Sequence, residues 1–219
     1  MPLFYQQNIN EETRLAIWKI EEKESFFERK VPIKKDVSHP HKRLQHLAGR
    51  YLLPFLFNDF PLEEIIIADT RKPFLKGEKY HFSISHSGDF AAAIVSKKQR
   101  VGVDVEVIVP KIEKIRHKFI SDEEYTLARK AWDLHDQSHG YDEKILSLQT
   151  MIWSAKEAIY KWYGDGLVDF KEHIILQGFS SGSPEPMQNL SFSFTKEKNL
   201  TLHIRARFFG RLALAWVNS

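Results

Sequence analysis

The chain has 219 residues, no cysteine and a formal charge of +3, long enough for one large domain or two small ones. The lack of cysteine excludes disulfides, iron–sulfur clusters, thiolate zinc sites and a cysteine nucleophile, and makes a reducing cytoplasm the expected location. Hydrophobic residues at 42% and charged residues at 28% exclude a disordered or collagen-like chain. The mildly basic balance favours a phosphate-bearing ligand or an acidic partner, and is too weak to imply nucleic acid.

The stretch MPLFYQQNINEETR has neither a basic start nor an apolar run, so no signal peptide is expected. No segment approaches the roughly 18 apolar residues of a membrane span. Residues 13–20 fit a strand or the start of a helix, and the pattern does not decide. EEKESFFERK reads as helical, and KKDVSHPH as a breaker-rich connection ending near Pro40. From His41 onward, Leu44, Leu47, Ala48, Tyr51, Leu52 and Phe55 recur at helical spacing. Arg43 and Arg50 share a face beside that arc, with His46 flanking them. Pro54 should end or kink this helix.

Residues 62–68 are strand-like and 70–79 form a polar turn with Pro73 and Gly77. YHFSISHSGDFAAAIVS reads as a hairpin turning at Ser87-Gly88-Asp89, followed by a short alternating strand over 101–107. Ser121-Asp122-Glu123-Glu124 is a capping box opening a helix to about Trp132. A polar loop, DLHDQSHGYDE, precedes a longer helix over 145–163 that stops at Gly164. The remainder reads as strands over 174–176, 190–194, 200–208 and 211–217, interrupted by the loop SSGSPEP. The expected fold is therefore α+β with two subdomains, 1–107 and 108–219. Each carries antiparallel sheet packed with helices, a pattern compatible with pseudo-duplication that residue identity is too low to show.

Three features have chemical content. In the strand Val101-Gly102-Val103-Asp104-Val105-Glu106, the valines point one way and Gly102, Asp104 and Glu106 the other. The two carboxylates then lie about 6.5–7 Å apart at Cα, close enough to share one hard cation. An edge strand showing charge to solvent is the plainer alternative. In the long helix, Ile152, Ala155, Ile159 and Trp162 form the buried stripe, while Trp153, Glu157 and Lys161 run along another face. That face offers a third carboxylate with a cation one turn on, or simply a surface ion pair. His86 stands at the hairpin beside Ser85, Ser87 and Gly88, small neighbours that let a phosphate approach the backbone. His135, Asp136, His139 and Asp142 lie in a polar loop and read as solvated rather than metal-binding. No P-loop and no GxGxxG occurs.

In order, SISHSGDF, GVDVE and WSAKEAIYK resemble the 4′-phosphopantetheinyl transferase superfamily. Length and the two halves resemble its larger, monomeric, surfactin-activating type rather than the short trimeric synthases. Arg71-Lys72-Pro73 and Gly164-Asp165-Gly166-Leu167 look like family segments, while Gln149-Thr150 departs where an aromatic often precedes the tryptophan. The resemblance implies transfer of 4′-phosphopantetheine from coenzyme A to a serine of an acidic acyl or peptidyl carrier protein. The cofactor cleft would lie between the two subdomains. It also implies Mg²⁺ held by Asp104, Glu106 and Glu157, with Lys161 on the phosphates. Glu157 would be the general base, directly or through water, with Glu106 second. Arg43, Arg50, Lys72, Ser85 and His86 would bind coenzyme A, the first two together with Lys72 and His86 at the adenosine end. Of these, Arg43 and His86 are the better candidates, since Arg50 could pair with a carboxylate instead. A catalytically silent binding module of the same fold is one alternative. A single-stranded nucleic-acid binder using Phe82, Phe90, Phe208, Phe209, Arg205, Arg207 and Arg211 is another.

Overall fold

The computed structural model describes residues 2–31, 37–134, 142–182 and 187–219. It is α+β with antiparallel sheets, and its chain divides into two compact units. One unit holds Met1–Val105 with Asn218–Ser219, the other Glu106–Val217.

The first unit is built on a four-stranded sheet. Its strands are β1 (Leu3–Asn10), β2 (Thr13–Lys19), β5 (His81–Ser87) and β6 (Phe90–Ser96), in the order β1-β2-β6-β5. The undecided residues 13–20 are thus strand. Leu15, Ala16 and Ile17 are wholly buried, so both sheet faces are covered here, which erases the period-two pattern that would have identified β2. The helix α1 (Glu24–Glu28) leads, beyond residues not described, to α2 (Pro40–Leu56). Pro40 sits in the first turn of α2, where its missing N–H costs nothing.

Leu47, Ala48, Leu52, Leu53 and Leu56 bury the inner face of α2 against the sheet. Gly49 makes that approach possible, because a Cβ there would lie 2.5 Å from Ile84 Cγ2. Pro54 neither ends nor precedes the end of α2 by much: the helix runs two residues past it, since a proline in the last turn removes a single ladder bond. Residues 62–68 begin as a 3₁₀ turn and become strand only at β3 (Ile65–Ile67). Part of the expected polar turn is the strand β4 (Pro73–Leu75), paired antiparallel with β3. Proline at the start of a two-stranded ribbon is tolerated because its missing donor faces no partner.

The strand β7 (Val101–Val107) and the last four strands form a five-stranded sheet, in the order β7-β11-β10-β9-β8. Those four are β8 (Ile174–Gly182), β9 (Met187–Phe194), β10 (Leu200–Phe209) and β11 (Leu212–Asn218). In the second unit, α3 (Lys111–Ile115), α4 (Asp122–Ala131) and α5 (Glu143–Tyr163) accompany this sheet. The capping box of α4 is made in both directions between Ser121 and Glu124. α5 ends at Gly164 in the left-handed region, with φ of 84°. Ile152, Ala155, Ile159 and Trp162 are buried as the spacing requires, and so are Gln149, Ser154 and Lys156 on other sides of α5. The KKDVSHPH and SSGSPEP loops both lie partly outside the described residues, at 34–36 and 183–186. The two sheets differ in number and order of strands, and a duplication is not established by them.

Candidate active site

The SISHS segment and the carboxylate strand are joined by serine side chains. β7 is an end strand, so alternate N–H groups on one edge need acceptors other than a ladder partner. Ser83 Oγ accepts from the Val103 N–H at 3.2 Å, and Ser85 Oγ accepts from the Val105 N–H at 3.3 Å. Ser85 Oγ in turn donates to Asp104 Oδ1 at 2.7 Å. Asp104 is 2% exposed, so this strand does not present its charge to solvent. An aspartate so far from water needs polar or cationic company, and the Ser85 hydroxyl supplies part of it.

Glu106 follows two residues later on the same side of β7 and is half-buried. Its Oε1 accepts the indole N–H of Trp153 at 3.3 Å. Trp153 is held edge-on to Phe119, with ring centroids 5.0 Å apart, and against Phe170 at 5.5 Å. Because Trp153 and Glu157 share one face of α5, this hydrogen bond brings Glu106 to the face that carries Glu157. Glu157 stands about 6 Å further along the helix axis, and Lys161 one turn beyond it. Two of the three expected metal-holding carboxylates therefore meet one helix face.

Lys156 points elsewhere. It is wholly buried, and its Nζ donates to Glu124 Oε1 at 2.7 Å and to the Phe170 carbonyl at 2.9 Å. Glu124 also accepts the Leu176 N–H at 2.7 Å and the Ser121 N–H at 2.9 Å. Burial pulls the Lys156 pKa down to about 8, against the opposing pull of Glu124. This buried pair ties α4, α5, β8 and the segment after α5 together immediately behind Glu157.

The residues expected at the adenosine end all belong to the first unit. The His86 ring on β5 packs edge-on against His46 of α2, with centroids 5.2 Å apart. His41 Nε2 lies 3.0 Å from the Gly88 carbonyl, and Gln45 Nε2 donates to the same oxygen at 2.8 Å, so α2 is pinned to the hairpin turn. Arg43 forms ion pairs with Glu24 and, at 3.0 Å, with Glu28 of α1. Those carboxylates raise its pKa. Arg50 is different: burial lowers its pKa, and no charged neighbour contributes. It follows His46 by one helical turn. Lys72, half-buried, closes the turn before β4 through its carbonyl, which accepts the Ala68 N–H at 2.9 Å.

Among the described residues no group of three or more His, Asp or Glu is placed to hold a metal by itself. Mg²⁺ is usually held by one or two carboxylates together with phosphates and waters, and the all-oxygen donors Asp104, Glu106 and Glu157 fit that chemistry. His135, Asp136 and His139 lie outside the described residues, while Asp142 caps α5 by accepting the Lys144 N–H at 2.8 Å. Three of the four aromatic residues of the nucleic-acid alternative are used in packing. Phe82 is buried, Phe90 meets Phe4 at 5.1 Å, and Phe208 meets Trp132 at 6.0 Å. No helix among the described residues is long and apolar enough to cross a membrane.

Residues 100–216 match the family model of the 4′-phosphopantetheinyl transferase superfamily, and the chain belongs to that superfamily. The match contains β7, with Asp104 and Glu106, and α5, with Trp153, Glu157 and Lys161. The chain is 33% identical over 124 residues to the 4′-phosphopantetheinyl transferase AcpT of Escherichia coli O157:H7, covering 56% of this chain and 59% of that protein. It is 32% identical over 127 residues to a 4′-phosphopantetheinyl transferase of Bacillus pumilus, covering 55% and 50%. To the L-aminoadipate-semialdehyde dehydrogenase-phosphopantetheinyl transferase of Xenopus laevis it is 29% identical over 134 residues, covering 55% and 43%. The matched region thus spans less than two thirds of each of these relatives.

Proposed function

We propose that this chain transfers 4′-phosphopantetheine from coenzyme A to a serine of an acyl or peptidyl carrier protein, releasing adenosine 3′,5′-bisphosphate. The observation that carries this reading is the Trp153–Glu106 hydrogen bond, which joins the carboxylate strand to the Glu157 face of α5 inside the family match. In the reaction, the serine oxygen bonds to the phosphorus that bears the pantetheine. The bond from that phosphorus to the bridging oxygen breaks, and the bridging oxygen leaves with the nucleotide.

Asp104, Glu106 and Glu157 would hold Mg²⁺, which when bound neutralises charge on the pyrophosphate. Asp104 enters this set already oriented by Ser85, and Glu106 by Trp153. Ser85 thereby acts through Asp104 as well as beside the ligand. Glu157 accepts the serine proton, directly or through one water, and Lys161 contacts the phosphates. His86, Arg50, Arg43 and Lys72 bind the adenosine end with its 3′-phosphate, a dianion that attracts guanidinium and imidazolium groups.

The chain acts as a monomer on an acidic carrier, with its +3 charge assisting encounter. A fall in kcat/KM between low and physiological salt checks this electrostatic part, and a flat response contradicts it. The transfer itself is tested by incubating the chain with coenzyme A, Mg²⁺ and purified apo-carrier proteins and weighing the carriers intact.

A further inference from the structure

Leu167 combines two features that folding alone disfavours. It is 88% exposed, the most exposed large apolar side chain among the described residues. Its backbone is also left-handed, with φ of 53°, a region where a leucine is crowded by its own Cβ. Neither a buried contact nor a relaxed backbone accounts for a leucine here.

The segment around it is firmly anchored. It begins at the Gly164 cap of α5. Val168 packs on the core of the second unit. The Phe170 ring packs at a tilt against Trp153 and, with centroids 5.9 Å apart, against Tyr160, and its carbonyl accepts from Lys156. Asp169 Oδ1 then accepts the N–H groups of Lys171 and Glu172 at 2.8 and 3.0 Å. Leu167 is therefore an apolar group held out into solvent on a rigid support, the form of a pre-organised binding anchor.

We infer that Leu167 is a docking contact for the protein substrate, the one that presents the acceptor serine. The inference rests on the transferase reading above. Its seat argues for that occupant: α5 carries Glu157 only about 10 Å along its axis from the Gly164 cap, and the anchoring residues Trp153, Lys156 and Tyr160 surround Glu157 in sequence. A protein that brings its serine to Glu157 is thereby within a short distance of this loop. One leucine is too little area for a stable dimer or a membrane anchor, but is sufficient to strengthen a brief enzyme–substrate encounter.

The test compares Leu167→Asn, Leu167→Gly and Leu167→Met with the unaltered chain, using coenzyme A and a purified apo-acyl carrier protein. Asn and Gly suit a left-handed backbone but remove the apolar group, and Met keeps it. The expected result for Asn and Gly is a loss of about tenfold or more in kcat/KM for the carrier. The KM for coenzyme A stays within about twofold, the melting temperature is unchanged or higher, and Met retains most activity. An unaltered kcat/KM for the carrier in Asn and Gly overturns the inference. A raised KM for coenzyme A alone, which would assign the leucine to the small substrate, overturns it too, as does a lowered melting temperature. No transfer by the unaltered chain overturns the transferase reading and the inference together, whereas active, indifferent variants overturn the inference alone.

Discussion

The indole N–H of Trp153 donates to Glu106 Oε1 across 47 residues of sequence, at 3.3 Å. Its ring is fixed by Phe119 and Phe170, so the donor direction is set before any ligand arrives. A carboxylate held this way reaches a metal with less freedom to lose.

Trp153→Phe keeps an aromatic ring between Phe119 and Phe170 and deletes only the donor. The expected outcome is a rise of about tenfold in the Mg²⁺ concentration needed for half-maximal activity, with a smaller fall in kcat at saturating Mg²⁺. Kinetics over a Mg²⁺ titration, with melting curves on the same samples, measure this. A purely structural tryptophan would shift the melting temperature and leave the metal dependence unchanged.

Arg43 and Arg50 share a helix face but not an environment. Arg43 already has Glu24 and Glu28 as partners, whereas Arg50 is partly desolvated with no charged neighbour contributing to its pKa. A 3′-phosphate has to displace carboxylates at the first and not at the second. Arg50→Ala is expected to raise the KM for coenzyme A by roughly tenfold or more, and Arg43→Ala by less. With 3′-dephospho-coenzyme A the Arg50 effect should largely disappear. Equal losses on both substrates would remove Arg50 from the 3′-phosphate.

Lys156 and Glu124 test the support behind Glu157. Lys156→Met leaves the Glu124 carboxylate buried without its cation and should destabilise the fold by about 3–5 kcal/mol. Adding Glu124→Gln removes the uncompensated charge and should recover part of that loss. Urea unfolding of the two variants decides. A double variant no more stable than Lys156→Met would show that the carboxylate is not the origin of the cost.

Much of this site was legible because its signals are local. Alternation in β7 put Asp104 and Glu106 on one side, and helical spacing put Trp153, Glu157 and Lys161 on another. The capping box at Ser121 and the stop at Gly164 follow from short-range hydrogen bonding. What the sequence concealed depends on contacts between distant segments. Asp104 is bonded by Ser85 of β5, which together with Ser83 completes the edge of β7. Glu124 looks fully explained by its own capping box, and nothing local marks its second oxygen for Lys156, 32 residues on. The position of Lys156 just before Glu157 was the available signal, since a lysine among buried helix positions requires a partner. The sequence favours Arg43 on the ground that Arg50 could pair with a carboxylate, yet Arg43 is the one paired, with Glu24 and Glu28 of α1, whose place beside α2 no local signal marks. The strand β4 was hidden by Pro73 and by its three-residue length.

The central claim is that the carboxylate set around Glu157 drives metal-dependent transfer to a carrier serine. Intact-mass measurement of an apo-carrier incubated with the chain, coenzyme A and Mg²⁺ tests it most directly, with a chelator control and Glu157→Gln in parallel. The account predicts one added phosphopantetheine on the carrier, none in chelator, and a rate about a hundredfold or more lower for Glu157→Gln. Transfer that persists in chelator, transfer at the unaltered rate by Glu157→Gln, or no transfer to any carrier would contradict it.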